Sequence, residues 1–200
     1  MENSIRVHSI FATNQGEGAW IGQAAAFIRL QGCSVGCAWC DTDYDSGETL
    51  EVGEIIARAC AIVCPGAIAV VTGGEPTEQR LEPLVEELHR AGFRAHIETS
   101  GIRHVTAAFD WITVSPKRSF DRTEQRFGNE LKLVAAYPPD NIDCLAAHAA
   151  PFLELPFEYF WISPLEHPKG VFNTAICQEL TQREPRWRLA IQAHKYWNIP

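Results

Sequence analysis

The chain has 200 residues, of which 46% are hydrophobic and 21% are charged, and its formal net charge is −8 at pH 7. This composition is typical of a globular protein, and the length suits one domain over residues 1–200. The negative charge provides no basic field to attract a phosphate backbone, so it disfavours nucleic-acid binding and favours a small-molecule partner.

The sequence predicts a cytoplasmic protein without a membrane span. The segment MENSIRVHSI lacks a charged start followed by a long apolar stretch, and no run reaches the roughly 18 apolar residues that a membrane span requires. Seven cysteines are an odd number, and three of them fall within residues 33–40. Metal binding is therefore favoured over a disulfide framework.

Apolar runs rich in β-branched and aromatic residues alternate with helical patterns along the chain. The predicted strands cover residues 24–31, 67–72, 93–99, 109–114, 130–134 and 159–163, and the predicted helices cover residues 51–63, 80–92 and 141–150. This alternation predicts parallel strands with crossover helices, in either an open doubly wound sheet or part of a barrel. A complete eightfold barrel typically takes about 250 residues, so we expect an incomplete barrel of roughly six parallel strands.

The first predicted strand is followed by Cys33, Cys37 and Cys40, which are spaced C-x3-C-x2-C. A structural zinc site needs four ligands, and the candidates for a fourth, Asp41, Asp43, a histidine or a distant cysteine, are not compelling. A [4Fe-4S] cluster bound by three thiolates leaves one iron open for another ligand, as catalysis requires. Zinc and buried thiols without a metal remain as alternatives.

Further along the chain, Cys60 and Cys64 are four residues apart in a predicted helix. We expect buried structural thiols there rather than a second metal site. The second predicted strand ends in TGGEP at residues 72–76, where paired glycines allow the backbone to approach a ligand closely. The alternative for this segment is an ordinary turn between a strand and a helix.

Two loop-rich segments, residues 115–129 and 163–173, directly follow predicted strands. Loops after parallel strands meet at the carboxyl edge of the sheet, where such folds bind their ligands. We expect both segments to contribute to one site.

The cysteine motif and the TGGEP motif together resemble those of the radical S-adenosylmethionine enzymes. In that superfamily the open iron binds the methionine end of S-adenosylmethionine, and an electron from the cluster cleaves the cofactor to a 5'-deoxyadenosyl radical. Other segments narrow the resemblance to the 7-carboxy-7-deazaguanine synthases: NQGEGAWIGQAAAFIRLQGC, CDT, ETSG, VSPK, GNELKLV and HKYWNIP. The resemblance extends from near Ile5 to Pro200.

This resemblance implies an activity and its partners. The implied reaction converts 6-carboxy-5,6,7,8-tetrahydropterin to 7-carboxy-7-deazaguanine with loss of ammonia, in 7-deazapurine and queuosine biosynthesis. The implied cofactors are one [4Fe-4S] cluster per subunit, S-adenosylmethionine and Mg²⁺. The resemblance also implies a barrel reduced from the usual plan of the superfamily, a homodimer, and an electron donor of the flavodoxin or ferredoxin type.

The resemblance also implies site residues. The cluster ligands are Cys33, Cys37 and Cys40, and the Mg²⁺ ligand is Thr42. The cofactor contacts are Trp39, Cys40, Asp41, Gly74, Ser115, Pro116, Lys117, Ser163, Pro164, Leu165 and Glu166. The substrate contacts are Asn14, Gln15, Gly16, Glu17, Arg29, Thr72, His194 and Pro200. The family usually has a Gln-Pro pair where this chain reads SPLE at residues 163–166, so the chain departs from the pattern there.

The chemistry of the implied substrate agrees with several of these residues. A free carboxylate is well matched by the planar donors of Arg29, and the N–H groups of an amino-pyrimidinone need acceptors such as Gln15 and Glu17. The alternatives are a solvent-facing Glu17 and a Thr42 that caps the following turn. For the terminal segment, we expect the apolar side chains of residues 196, 197 and 199 to dock the chain end against the barrel.

Two other classes of function fit part of the pattern. An activating enzyme that generates a glycyl radical on a partner protein would share the cluster motif, but it would not need Arg29. A zinc-binding module without activity would have no use for the TGGEP turn.

Overall fold

The computed structural model of the chain describes residues 3–40, 43, 46–136, 141–165 and 173–200. In these residues nine strands form one sheet in the order β3-β1-β2-β4-β5-β6-β7-β8-β9. The strands are β1 (Ser4–Asn14), β2 (Ala24–Leu30), β3 (Glu48–Glu51), β4 (Ile68–Gly73), β5 (Arg94–Thr99), β6 (Trp111–Val114), β7 (Glu130–Val134), β8 (Tyr159–Ser163) and β9 (Trp187–Leu189).

From β2 to β9 every neighbouring pair of strands in the sheet is parallel. The predicted α/β fold of a partial barrel is therefore confirmed, with the short strand β9 added to the six strands that were predicted. Strands β1 and β3 extend the other end of the sheet and pair antiparallel, and the sequence analysis did not predict them.

The helices are α1 (Val52–Ile62), α2 (Glu82–Arg90), α3 (Ile142–Ala149), α4 (Thr174–Arg183) and α5 (Ala193–Trp197). The first three confirm the predicted helices, whereas α4 and α5 were not predicted. Residues 100–110 and 115–129, all of which are described, connect β5 to β6 and β6 to β7 through loops and a 3-10 turn at Phe120–Arg122. Because neither connection contains an α-helix, the outer layer of the barrel has fewer helices than a fold with a helix after every strand.

Side chains alternate between the two faces of the sheet. In β2, Ile28 and Leu30 pack into a core with α1 and α2, so that Arg29 faces the interior of the barrel. In β7, Leu131 and Leu133 pack into a second core with α3 and α4, which leaves Lys132 on the interior face. Apolar burial on the outer face thus determines which polar residues face inward.

The strand register places several interior polar residues beside one another. Arg29 pairs with Thr72 across β2 and β4. Glu98 pairs with Thr113, which in turn pairs with Glu130, across β5, β6 and β7. Neighbouring strands therefore contribute polar groups to the same level of the barrel.

Two further features bear on the sequence predictions. None of the helices in the described ranges has the length and apolar character that a membrane span requires. Cys60 and Cys64 are both exposed, so the expectation of buried thiols is wrong. Helix α1 buries Val52, Ile55 and Ala59 against the sheet, and this face excludes the Cys60 side chain.

An aromatic layer fills the barrel interior around His96. The His96 ring lies 4.9 Å from the ring of Trp20 and 6.1 Å from that of Trp111. His96 is only 3% exposed, and its Nε2 atom has no hydrogen-bond partner among the described residues. Burial lowers the pKa of His96 to about 4, although the nearby Asp110 carboxylate acts in the opposite direction and Arg94 acts with burial.

This pKa predicts a specific dependence of stability on pH. Between pH 6.5 and about 4 the unfolded chain binds a proton at His96 that the folded chain does not. The free energy of unfolding should therefore fall as the pH drops through this window, and His96 should contribute about 3 kcal/mol to that fall. We expect His96→Phe to be less sensitive to acid than the wild type in urea unfolding followed by tryptophan fluorescence. Equal pH slopes for the two proteins would contradict a buried neutral histidine.

Candidate active site

A cavity of about 960 Å³ opens at the carboxyl ends of the parallel strands. Its lining includes every described residue that the sequence analysis assigned to the cluster, the cofactor or the substrate, except Pro116. Pro116 is buried between Ser115 and Lys117, which do line the cavity. Asp41, Thr42 and Glu166 lie outside the described residues.

The cysteine loop forms one wall of the cavity. None of Cys33, Cys37 and Cys40 forms a disulfide, and the Cys40 amide donates to the Cys37 carbonyl at 3.2 Å. Burial raises the pKa of the Cys37 thiol, Lys117 partly offsets this effect, and the thiols of Cys40 and Cys33 raise the pKa further. A cysteine thiol of this kind becomes a thiolate when a bound metal supplies positive charge.

The donor set fits an iron–sulfur cluster. In the described part of the chain, no three side chains of His, Cys, Asp or Glu converge as the ligands of a single metal ion would. The thiolates of a [4Fe-4S] cluster each bind a different iron atom, so they need not converge on one point. Three cysteines in one loop, facing one cavity, meet that requirement.

Gly74 brings the TGGEP turn against the start of the cysteine loop. Its amide donates to the Leu30 carbonyl at 3.0 Å, and the next amide, of Glu75, donates to the Gly32 carbonyl at 2.9 Å. A Cβ atom at Gly74 would overlap the Gly32 carbonyl oxygen and would lie 3.1 Å from the Cβ of Cys33. The glycine is therefore required for this close approach.

The buried Glu75 carboxylate also holds the TGGEP turn in place. Glu75 is only 1% exposed. It accepts hydrogen bonds from the Thr99 hydroxyl at 2.6 Å, the Ser100 amide at 2.8 Å and the Thr77 amide at 3.0 Å. The carboxylate thus joins the end of β4 to the end of β5. The sequence analysis did not assign this function to Glu75, although a glutamate between a glycine pair and a proline was visible in the motif.

Lys117 lies near the cysteine loop. Its Nζ donates to the Ser115 hydroxyl at 2.7 Å and lies 5.3 Å from the centre of the Trp39 ring. Burial, together with a smaller effect of the Lys132 charge, lowers the pKa of Lys117 to about 8. The strand-to-loop segment after β6 therefore presents a cation next to the cysteine loop.

Arg29 supplies a second cation to the cavity lining. Its guanidinium carbon lies 5.4 Å from the centre of the Phe11 ring, and its buried Nε atom has no hydrogen-bond partner among the described residues. A buried donor of this kind is satisfied by an anionic ligand such as a carboxylate. Thr72 lies beside Arg29 in the strand register and also lines the cavity.

Lys132 lies between two carboxylates in the centre of the cavity. Its Nζ contacts the Glu17 carboxylate and lies 3.3 Å from that of Glu98, and the side chains are 10%, 14% and 21% exposed, respectively. Gln15 donates to Glu98 at 2.9 Å, and Gln192 donates to Glu17 at 2.8 Å. These contacts form a continuous polar network from β5 to the segment before α5.

The charges in this network determine the state of Glu17. Burial raises the pKa of the Glu17 carboxyl, but the adjacent Lys132 ammonium outweighs that effect and holds the pKa below its ordinary value. Burial alone would lower the pKa of Lys132, whereas Glu17 and Glu98 together raise it. Both groups are therefore charged near neutral pH, and Glu17 is an acceptor.

Sequence reasoning missed Glu98, Lys132 and Gln192 as cavity residues. A signal was available for two of them, because Glu98 and Lys132 alternate with apolar residues of their strands, Ile97 in β5 and Leu131 and Leu133 in β7. Such a residue faces the interior when its neighbours face the helices. Gln192 lies in an irregular segment and carried no comparable signal.

Helix α5 and the residues after it close the cavity. The Ala193 amide donates to the Gly16 carbonyl at 2.9 Å, and the Thr13 hydroxyl donates to a Pro200 oxygen at 2.7 Å. A Cβ atom at Gly16 would collide with the His194 ring, so the glycine allows α5 to approach. Tyr196 and Trp197 are 76% and 46% exposed, so the expected docking through these aromatic side chains is wrong. Polar contacts hold this segment instead.

The chain is similar over nearly its full length to several curated proteins. The 7-carboxy-7-deazaguanine synthase of Burkholderia multivorans is 38% identical, and the alignment covers 97% of this chain and 98% of that protein. The enzymes of the same name from Caulobacter vibrioides and Bacteroides thetaiotaomicron are 35% and 34% identical, and each alignment covers 97% of this chain and 98% of the relative. No family model matches the chain.

Solved structures are similar as well. The crystal structure of QueE from Escherichia coli matches with a TM-score of 0.75 and 28% identity, and the match covers 96% of this chain and 95% of that one. A radical SAM methyltransferase from Sphaerobacter thermophilus matches with a TM-score of 0.56 at 17% identity, which shows similarity of fold alone.

The contact at Gly74 predicts an effect of adding a single methyl group. Gly74→Ala should push the TGGEP turn away from Gly32, because the added carbon would overlap that backbone. We expect iron and acid-labile sulfide after anaerobic reconstitution to fall at least about fivefold, since a displaced cysteine loop loses ligand geometry. Gly53→Ala is the control, because a Cβ at Gly53 meets nothing within 4 Å. Equal iron contents in both variants would refute a packing role for Gly74.

Proposed function

This chain belongs to the 7-carboxy-7-deazaguanine synthase family, and from that membership we propose that it converts 6-carboxy-5,6,7,8-tetrahydropterin to 7-carboxy-7-deazaguanine with loss of ammonia. It is a radical S-adenosylmethionine enzyme of 7-deazapurine biosynthesis and a lyase. The observation that carries the proposal is one cavity that brings the three-cysteine loop together with Arg29 and Glu17.

We assign the cluster to the thiolates of Cys33, Cys37 and Cys40. For S-adenosylmethionine, the described residues that support binding are Trp39, Gly74, Ser115, Lys117, Ser163, Pro164 and Leu165, which all line the cavity. Pro116, Asp41 and Glu166 complete the predicted set. When bound, the cluster and the cofactor supply the one-electron chemistry that removes hydrogen from the substrate.

The residues of the chain bind and orient the pterin. Arg29 would pair with the substrate carboxylate, because a guanidinium binds such a group through two parallel hydrogen bonds. In the same cavity the ionised Glu17 and Gln15 would accept from the N–H groups of the amino-pyrimidinone. Lys132 keeps Glu17 ionised and therefore able only to accept. Contacts with Asn14, Gly16, Thr72, His194 and Pro200 would enclose the ligand and exclude water.

The cavity favours this proposal over the activation of a partner protein. A glycyl-radical activating enzyme must admit a protein segment, and it has no need for a buried cation opposite a buried carboxylate. Here Arg29 and the Glu17–Lys132–Glu98 network provide recognition for a small ligand with a carboxylate at one end and N–H donors at the other. We further propose a homodimer of single-domain subunits in the cytoplasm, reduced by a flavodoxin or ferredoxin type of donor.

The proposed activity is tested by product analysis together with a pair of cysteine variants. Enzyme reconstituted under anaerobic conditions should form 7-carboxy-7-deazaguanine from the carboxypterin without a partner protein, as detected by mass spectrometry. Cys37→Ala should lose the cluster and reduce turnover at least about a thousandfold, because two thiolates do not retain a cubane cluster. Cys60→Ala changes an exposed thiol on α1 and should retain both. Full activity of Cys37→Ala would contradict the assignment.

We also propose that Mg²⁺ assists the reaction and that Thr42 binds it. Thr42 follows Cys40 by two residues, and a hydroxyl is a suitable oxygen ligand for an ion completed by water and substrate oxygens. Removal of divalent ions with EDTA should lower turnover at least about tenfold while the cluster absorbance is unchanged, and added Mg²⁺ should restore the rate. Thr42→Val should require more Mg²⁺ for half-maximal activity, whereas Thr181→Val, on α4, should not. Full turnover by metal-free enzyme with its cluster intact would remove the role of Thr42.

A further inference from the structure

The Glu130 carboxylate, at the start of β7, is 5% exposed and accepts hydrogen bonds from three directions. From β6, the Thr113 hydroxyl donates at 2.8 Å and the Trp111 indole at 3.2 Å, both to Oε1. From β8, the Trp161 indole donates to Oε2 at 2.8 Å. The amide of Ala19 donates to the same Oε2 at 3.0 Å. Neighbouring strands thus fix the position of this carboxylate.

The hydrogen bond from the Ala19 amide connects the turn that follows Glu17 to Glu130 in the sheet. The 3-10 turn at Gly18–Trp20 begins directly after Glu17, and Glu17 is its N-cap residue without a side-chain cap. Gly18 has a φ of +69°, and a Cβ atom there would lie 2.5 Å from Oε1 of Glu130. The turn therefore fits against the carboxylate both through a hydrogen bond and through the absence of a side chain at Gly18.

Two residues of β7 together determine where the Glu17 carboxylate lies. Glu130 holds the backbone just after Glu17, and Lys132 binds the Glu17 side chain. Glu130 and Lys132 are two positions apart and share the interior face of the strand. Lys132 lines the cavity, whereas Glu130 is not among the lining residues. Glu130 is therefore placed to support the site without touching a bound ligand.

We propose that Glu130 is a positioning residue for substrate binding: through the Ala19 amide it holds Glu17 in place in the cavity that Arg29 also lines. The inference rests on the proposed function, which assigns Glu17 and Arg29 to the pterin. Loss of the carboxylate would release the turn, so Glu17 would be displaced while the cysteine loop and the TGGEP turn stay in place. Affinity for the pterin would fall, and the chemistry of bound substrate would be little changed.

Glu130→Ala tests this directly in the reconstituted enzyme. We expect KM for the carboxypterin, and its Kd in equilibrium dialysis, to rise at least about tenfold, the loss expected when a charge-assisted hydrogen bond is misplaced. The value of kcat, and the rate of S-adenosylmethionine cleavage without substrate, should stay within about threefold. Hydrogen exchange in a peptide spanning residues 15–23 should become faster.

Two variants separate positioning from a loss of stability. Glu130→Gln keeps an acceptor for Ala19 and Trp161 when its amide nitrogen takes the place of Oε1, where it can donate to the Thr113 hydroxyl. Only the Trp111 indole then loses its acceptor, so this variant should restore KM to within about threefold even if its melting temperature is lower. Thr113→Val removes a different bond to the same carboxylate and leaves the Ala19 bond intact. It should lower the melting temperature without raising KM.

A second pair of variants changes glycines and leaves Glu130 itself unchanged. The test therefore does not require Glu130→Ala to fold. Gly18→Ala places a carbon against the Glu130 carboxylate and should also raise KM. Gly66→Ala is matched for backbone strain, since Gly66 has a φ of +94° and a Cβ there meets nothing within 4 Å. It should leave KM unchanged.

The outcomes distinguish this inference from the function on which it rests. Wild-type turnover of the carboxypterin together with unchanged KM in Glu130→Ala and Gly18→Ala would overturn the positioning role and leave the proposed function standing. Equal increases in KM for Glu130→Ala and Thr113→Val would also overturn it, because a general loss of stability would then explain both. If the wild type neither binds nor converts the carboxypterin, the proposed function and this inference both fail.

Discussion

The buried ammonium of Lys132 is the constraint on which the site depends. A charge removed from water is tolerated only when it is paired and hydrogen-bonded, and here the pairing comes from Glu17 and Glu98. Glu17 precedes the 3-10 turn that follows β1, and Glu98 lies on β5. One cation on β7 therefore connects three segments that are distant in sequence. The polar interior exists because apolar residues at alternate positions of the same strands are packed against the helices on the outside.

Two loops are each held in position by a buried carboxylate. Glu75 holds the TGGEP turn near the cysteine loop, and Glu130 holds the turn that carries Glu17. Each carboxylate is nearly fully buried, and each accepts hydrogen bonds from backbone amides as well as side chains. A glycine accompanies each contact, Gly74 in one and Gly18 in the other, because no side chain fits between the backbone and its neighbour. Rigid strands thus determine the geometry of otherwise irregular segments.

The sequence predicts much of this arrangement where the pattern is local. Strands such as β4 and β7 were predicted because they are short runs rich in apolar residues and are buried on both faces. Helices α1 to α3 were predicted because their apolar periodicity reflects burial on a single face. Strand β1 was missed because it lies near the sheet edge, where Ile5 and Val7 are buried and most other positions are half-exposed. The network around Lys132 was missed for another reason: its contacts with Glu17 and Glu98 span 115 and 34 residues, and no local pattern reports a pairing of that kind. The docking of residues 196 and 197 was wrong because aromatic content indicates the capacity for burial, not its occurrence.

The helix-free connection between β5 and β6 offers an attachment point for protein engineering. Arg103 and His104 lie in this connection and are exposed, while Ser100 at its start is bonded to Glu75 and Asp110 at its end to the backbone of Ala95. Both ends of the loop are thus anchored independently of its middle. A reporter domain or an affinity handle inserted between Arg103 and His104 would therefore attach at an exposed position while both ends of the loop keep their contacts.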